Sequence, residues 1–233
     1  LSRMVHFTLF GIPVYIRPSF WVVLAIFGGA LSISSVEDLI YPALFVIAGF
    51  VAILSHEMGH ALVGRKLGGG QQTIVLELFG GLTSSHGMQL TRGGRALMIL
   101  AGPMMTLLLG IISLGLTWNI VAPVMTSYNL NFWDLAISPF TAALISPKLY
   151  ILSCLIMIGE WWTILNLLPI YPLDGGQLIA QYIRSPRKVF MTGFITAILI
   201  GLLSFQLFHG YFIPIFMALF AYSNYREYKN APF

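Results

Sequence analysis

Six apolar segments divide this 233-residue chain, and each is close to the roughly 20 residues that a helix needs to cross a bilayer. Hydrophobic residue types make up 58% of the sequence and charged types only 9%, whereas a typical soluble domain has about 25% charged residues. We therefore predict an all-α polytopic membrane protein, built as a single transmembrane domain over residues 1–233. The six predicted spans are approximately residues 19–35, 39–63, 96–121, 149–168, 189–208 and 213–228.

The basic residues agree with this count of spans. When the N-terminus is placed in the cytoplasm, only Lys148 of the twelve basic residues falls outside, as the positive-inside rule expects. We predict a multi-pass protein with both termini in the cytoplasm. The formal charge of +4 comes from short clusters between apolar segments, and this distribution does not indicate a nucleic-acid partner. The eleven bases on the inside are Arg3, Arg17, Arg65, Lys66, Arg92, Arg95, Arg184, Arg187, Lys188, Arg226 and Lys229.

The second apolar segment contains the sequence HEMGH at residues 56–60. His56 and His60 are four residues apart, so both imidazoles lie on one face of a helix and can share one zinc ion. Glu57 is the next residue round the helix and can take a proton from a water molecule on that zinc. Because charged groups inside a membrane are costly, three such residues together indicate a function.

A catalytic zinc site needs a third protein ligand besides two histidines. Asp174 is the economical candidate, since it lies on the same predicted side of the membrane as His60. It occurs in the stretch LPIYPLDGGQLIAQYI, residues 168–183, where two prolines and the pair Gly175–Gly176 interrupt the helix. Irregular backbone at membrane depth is tolerated where protein or a water-filled cavity surrounds it. The sequence therefore predicts one zinc ion per chain, bound by His56, His60 and Asp174.

The connection between the second and third spans is not a simple loop. Residues 71–87, QQTIVLELFGGLTSSHG, contain β-branched residues, the pair Gly80–Gly81 and a second polar arm. This pattern predicts a small β-hairpin. A carboxylate within the fourth span, Glu160, is assigned to no motif; pairing with another span and a substrate or water gate are both left open.

Together these motifs resemble the site-2 protease family of intramembrane zinc metalloproteases. The resemblance is carried by HEMGH, by AGP at residues 101–103 and by NLLPIYPLDGG at residues 166–176. It extends over nearly the whole chain. Between the third and fourth predicted spans there is no room for a PDZ-like insertion. The chain is therefore similar to the compact branch that includes sporulation sigma-factor-processing and archaeal members, and we expect a prokaryotic source.

The resemblance implies roles for named residues. His56, His60 and Asp174 would be zinc ligands and Glu57 the general base. Asn166 would hydrogen-bond the substrate backbone or help to hold the oxyanion. The hairpin would be a membrane-re-entrant element whose edge receives an unwound substrate segment, and its substrate-binding residues would be Phe79, Gly80 and Gly81.

The predicted function is hydrolysis of peptide bonds within or near transmembrane segments of other membrane proteins, with the site toward the cytoplasm. The expected partners are a transmembrane protein substrate and membrane lipid. A regulatory membrane partner and the oligomeric state are left open by the sequence. The alternative is a membrane metal transporter that uses the same His and Asp ligands. A transporter has no special need for Glu57 or for a strand-forming hairpin, and the repeated spans common in transporters are not evident here.

Overall fold

The computed structural model describes residues 4–78, 80–87, 89–128 and 138–232. Over these residues the chain is mostly helical and includes a four-stranded sheet. The helices are α1 Pro18–Phe27, α2 Ile40–Gly68, α3 Arg92–Tyr128, α4 Pro139–Ala143, α5 Pro147–Leu167, α6 Asp174–Ala180, α7 Pro186–Phe208 and α8 Phe212–Asn230, with 3-10 turns at Ala30–Ser32 and Glu37–Leu39. The strands are β1 Val5–Leu9, β2 Ile12–Ile16, β3 Gln71–Glu77 and β4 Gly80–His86.

Four helices are long and apolar enough to cross a membrane: Ile40–Gly68, Arg92–Ala122, Pro147–Leu167 and Pro186–Leu207. They correspond to the second to fifth predicted spans. Where the first span is predicted, the helix has only 10 residues and a 3-10 turn follows it. The sixth predicted span lies in α8, whose C-terminal part carries Arg226, Glu227 and Lys229 and is too polar to qualify by the same measure.

The sheet is larger than the predicted hairpin, because two strands before the first helix join it. Its order is β1-β2-β3-β4, with β1–β2 and β3–β4 antiparallel and β2–β3 parallel. A two-residue turn joins β1 to β2, and both turn residues, Phe10 and Gly11, have positive φ. Such a turn matches the right-handed twist of the strands on either side. The predicted hairpin thus forms half of the sheet.

Alternation along β2 shows that one of its faces is buried. Ile12, Val14 and Ile16 are at most 2% exposed, while the residues between them are more accessible. These three side chains pack with Leu54 and Met58 of α2 in one apolar cluster. One side of α2 is therefore fixed against the sheet through the same turns that carry HEMGH.

The N-terminal end of α2 follows a short turn that contains acidic residues. Asp38 Oδ2 accepts hydrogen bonds from the N–H groups of Ser34, at 3.0 Å, and Ser35, at 2.8 Å. These backbone hydrogen bonds lower the pKa of the exposed Asp38 carboxyl, because they stabilise its charged form.

The described residues fall into two compact units, Leu1–Thr163 and Ile164–Phe233. The first unit contains the sheet and α1 to α4, with most of α5. In the second unit, Ile170 of the loop after α5 packs with Ala197 of α7 and with Met217 and Ala221 of α8. This cluster holds the loop before Asp174 against the helix pair α7–α8. The single-domain assignment stays a prediction.

Candidate metal centre

Two buried imidazoles face each other on α2. His56 is 2% exposed and His60 is 8% exposed. Their Nε2 atoms are 3.2 Å apart, and the rings are nearly perpendicular, at 82°. The i, i+4 spacing on a helix brings the two rings together, so the sequence spacing accounts for this pair.

The contact made by Nδ1 of His60 determines which ring nitrogen carries the hydrogen. His60 Nδ1 lies 2.8 Å from the carbonyl oxygen of Met98 on α3. A carbonyl oxygen only accepts hydrogen bonds, so Nδ1 must carry the hydrogen. In the neutral ring this leaves the Nε2 lone pair directed toward His56. A backbone carbonyl commonly fixes a metal-binding histidine in this way.

The space beside the two Nε2 atoms exists because residue 102 of α3 is glycine. A Cβ placed at Gly102 would overlap His60 Nε2 and would lie 2.9 Å from His56 Nε2. Gly102 of the AGP motif at residues 101–103 therefore lies directly against the two imidazoles. In the sequence this motif contributed to the family resemblance, and the structure adds the contact of Gly102 with the imidazole nitrogens.

Glu57 points toward the sheet rather than toward α3. It is 5% exposed, and its Oε2 accepts a 2.7 Å hydrogen bond from the hydroxyl of Thr83 on β4. A Cβ at Gly81, also on β4, would lie 2.5 Å from Glu57 Oε1. Sequence reasoning placed Gly81 in the substrate-binding hairpin and gave no role to Thr83. No local pattern links Thr83 to a carboxylate 26 residues earlier.

The turn of the hairpin lies close to α5. A Cβ at Gly80 would come within 2.7 Å of the Trp162 ring, and Gly80 has a φ of +125°, which side chains rarely adopt. Phe79, the third predicted hairpin residue, lies outside the residues that the structure describes. Glu160, on the same helix as Trp162, is exposed.

The remaining predicted site residues belong to the second unit. Asp174 begins α6 and is 5% exposed, and Asn166 near the end of α5 is 9% exposed. A Cβ at Gly175 or Gly176 would overlap the backbone of residues 167–171. The first turn of α6 therefore lies directly against the preceding loop, as the glycine pair predicts.

One buried side chain that sequence reasoning missed holds this loop. Asn224 of α8 is 1% exposed, and its Nδ2 donates to the carbonyl oxygens of Tyr171, at 2.6 Å, and Phe220, at 2.9 Å. Tyr171 is three residues before Asp174, so Asn224 restrains the backbone that carries the carboxylate. In the sequence, the sign of this role was a single amide side chain within the last apolar segment.

Asn224→Leu is expected to destabilise the protein by about 1–3 kcal/mol, because the Tyr171 carbonyl loses its buried donor. Thermal unfolding in detergent measures this. Asn119→Leu is the matched control, since Asn119 donates to the Gly115 carbonyl from an exposed position on α3. The two variants should differ clearly in midpoint, and equal midpoints would contradict the role given to Asn224.

The family of the chain follows from comparison with known proteins. Residues 44–208, more than two thirds of the sequence, match the model of peptidase family M50. The chain belongs to this family. The matched segment includes most of α2 with HEMGH, the β3–β4 hairpin, α3 and the loop that leads to Asp174.

Two relatives and one solved structure are similar to the chain over much of its length. A zinc metalloprotease of Methanocaldococcus jannaschii is 29% identical over 227 residues, which cover 93% of this chain and 57% of the relative. A Synechocystis protein, which is provisionally named a zinc metalloprotease, is 28% identical to the chain. The match covers 76% of this chain and 43% of the Synechocystis protein. The chain thus spans about half the length of these relatives. The site-2 protease structure from M. jannaschii matches with a TM-score of 0.60 and 24% identity, covering 97% of this chain and 95% of that one, and shows the fold.

The histidine pair suits the zinc ion that the relatives' names imply. Two nitrogen ligands at 2.0–2.1 Å from a tetrahedral zinc are about 3.3 Å apart, and the two Nε2 atoms here are separated by 3.2 Å. His60 presents a lone pair through Nε2 because its Nδ1 is held by a carbonyl. Gly102 has no side chain that would crowd either nitrogen. The geometry of this part of the molecule therefore fits the metal.

Proposed function

We propose that the protein is an intramembrane zinc metalloprotease, which hydrolyses peptide bonds within or near transmembrane segments of other membrane proteins. The observation that carries this proposal is the buried pair His56–His60 with Glu57 between them, on a helix long and apolar enough to cross a membrane. Membership of peptidase family M50 supports the same reaction.

The proposed ligands of the zinc ion are His56, His60 and Asp174, two neutral imidazoles and one carboxylate. This is a donor set that catalytic zinc sites use, with the fourth position left for water. When bound, zinc would lower the pKa of a water molecule to about 7 and polarise the scissile carbonyl. Asp174 is supported by its burial and by the glycine pair that follows it.

Glu57 is proposed as the general base. It is adjacent to His56 in sequence, buried, and held at one carboxylate oxygen. In this role its carboxylate accepts a proton from the attacking water and then delivers a proton to the leaving amine. Asn166 is proposed to donate to the substrate backbone or to the developing oxyanion, since its amide is polar and largely buried.

The substrate is proposed to bind as an added strand. An α-helical substrate must unwind before its peptide bonds can be reached, and unwinding in lipid leaves backbone groups unsatisfied. Among the described strands β4 lies at one edge of the sheet, so its outer backbone groups are available for pairing. Gly80 and Gly81 begin this strand, and together with Phe79 they are the proposed substrate-binding residues. The hairpin is proposed to re-enter the membrane.

A six-span arrangement is proposed on topological grounds. Strands β2 and β3 are neighbours in one sheet, so the chain between them starts and ends on the same side of the membrane. The 29 residues of α2 are about 44 Å long, more than the roughly 30 Å of a hydrocarbon core. If α2 crosses once, residues 18–39 must cross as well. Both termini are then proposed to be cytoplasmic, in a prokaryotic cell membrane, with lipid and a membrane substrate as partners.

The test of the function is a cleavage assay with metal removal. The purified protein is placed in liposomes of phosphatidylethanolamine and phosphatidylglycerol with a panel of single-span helices that carry Gly or Pro near mid-span. We expect cleavage of at least one member, its loss on treatment with a zinc chelator, and its return when zinc is restored to one ion per chain. Zinc content by mass spectrometry accompanies each step.

The metal-transporter alternative makes the opposite prediction for sealed vesicles. Zinc flux across the vesicle membrane, without cleavage of any panel member, would contradict the protease and support transport. Cleavage that survives complete removal of zinc would contradict the metalloprotease mechanism.

A further inference from the structure

The strand β4 presents one of its faces to α2. Side chains on a strand alternate between the two faces, so Gly81, Thr83 and Ser85 share a face. Gly81 and Thr83 both contact Glu57. On the other face Leu82 is 54% exposed. The register places Gly81 opposite Leu76 and Thr83 opposite Ile74, and both of these β3 residues are fully buried.

Two contacts from β4 confine the Glu57 side chain. The Thr83 hydroxyl lies 2.7 Å from Glu57 Oε2 and 3.2 Å from the Glu57 carbonyl oxygen. The shorter contact is within normal hydrogen-bond distance, and the hydroxyl donates to the carboxylate oxygen. Gly81 has no side chain, and a Cβ at this position would overlap Glu57 Oε1. The strand can therefore lie close to the carboxylate. The hydroxyl therefore sets the rotation of the carboxylate, and the glycine sets its distance from the strand.

We infer that Thr83 is a positioning residue, whose hydroxyl holds the Glu57 carboxylate in the orientation in which it accepts a proton. This inference rests on the proposed function of Glu57 as general base. A proton acceptor works only within hydrogen-bond reach of the group that it deprotonates, and a displacement of about 1 Å can reduce the rate about 100-fold. The bond to Oε2 removes the freedom that would allow such a displacement.

The position of Thr83 predicts which kinetic constant depends on it. Its side chain faces α2, whereas an added substrate strand would pair with the outer backbone edge of β4. Loss of the hydroxyl should therefore lower kcat and leave KM unchanged. A residue that merely stabilised the sheet would not separate the two constants in this way.

The experiment compares Thr83→Val, Thr83→Ala and Thr83→Ser with the wild type, on the best-cleaved member of the single-span panel in the same liposomes. We expect kcat to fall about 10- to 100-fold in the Val and Ala variants, the effect of one hydrogen bond to a charged group. KM and zinc per chain should stay near wild type, whereas the thermal midpoint should fall in the Val and Ala variants, because the buried Glu57 carboxylate loses a donor. Serine restores the hydroxyl and should restore most of kcat.

Thr73→Val is the matched control, because it makes the same change on the neighbouring strand, away from Glu57. Equal kcat in Thr83→Val, Thr83→Ala and the wild type would overturn the inference and leave the protease intact. A rise in KM at constant kcat, or a failure of serine to restore kcat, would also overturn it. Absence of cleavage by the wild type would contradict the proposed function itself, and this inference with it.

Discussion

Gly102→Ala is expected to reduce zinc affinity by about 100-fold or more, because the added methyl group occupies the space beside the imidazole nitrogens. The Cβ would overlap His60 Nε2 and would approach His56 Nε2 to 2.9 Å. Metal sites require ligand distances within about 0.2 Å of their ideal values, so a displaced His60 ring could not be accommodated. The ring is also fixed from behind by the Met98 carbonyl. Zinc per chain after dialysis against a weak chelator measures the effect, and cleavage should disappear with the metal.

Gly110→Ala is the matched control, since a Cβ at Gly110 on the same helix meets nothing within 4 Å. Alanine favours a helix over glycine by about 1 kcal/mol, so this variant should bind zinc normally and unfold no earlier than the wild type. Circular dichroism of both variants without metal separates loss of the site from loss of the fold. Normal zinc binding by a folded Gly102→Ala protein would contradict the metal position proposed here.

Glu57→Gln is expected to lower kcat by about 100- to 10,000-fold while zinc content and fold are retained. The amide has nearly the same shape as the carboxylate and still offers an oxygen to the Thr83 hydroxyl. It has no basic oxygen that could take a proton from water. Cleavage of the single-span panel and zinc per chain are measured on the same preparation.

Glu77→Gln provides the comparison for this loss. Glu77 is on β3, and its carboxylate forms a partly exposed ion pair with Arg17 at 2.7 Å. Exposed ion pairs contribute little to stability, so cleavage by this variant should be close to that of the wild type. Cleavage by Glu57→Gln at the same rate as Glu77→Gln would show that the proton acceptor is another group.

The features that could be predicted from the sequence are those with a strong local pattern, either a long apolar segment or a regular spacing of residues. α2, α3, α5 and α7 follow from their apolar length, and the β3–β4 pair follows from β-branched residues beside Gly80 and Gly81. The proximity of His56 and His60 follows from helix geometry alone. Membership of the site-2 protease family could be predicted because its motifs are distributed along nearly the whole chain.

The rest depends on contacts between residues that are distant in sequence. The alternation of Ile12, Val14 and Ile16 was a usable strand signal, although Pro13 within it weakens that signal. The hydrogen bonds of Thr83 to Glu57 and of Asn224 to Tyr171 join residues 26 and 53 positions apart. No local pattern encodes such pairs. The short α1 ends at its C-cap residue Gly28, and Gly29 after it has a φ of +89°; hydropathy alone does not register this glycine pair and predicted a longer helix.

The parallel pairing of β2 with β3 has a consequence for the order of folding. Ile16 pairs with Leu76, so about 60 residues, including the whole of α2, form the loop that this pairing closes. Closing so long a loop is entropically costly and slow compared with forming a helix or a hairpin. We therefore expect α2 to be inserted before the two halves of the sheet join. Until they join, the β3–β4 hairpin that carries Thr83 is anchored to α2 but not yet to β2 and the N-terminal half of the sheet.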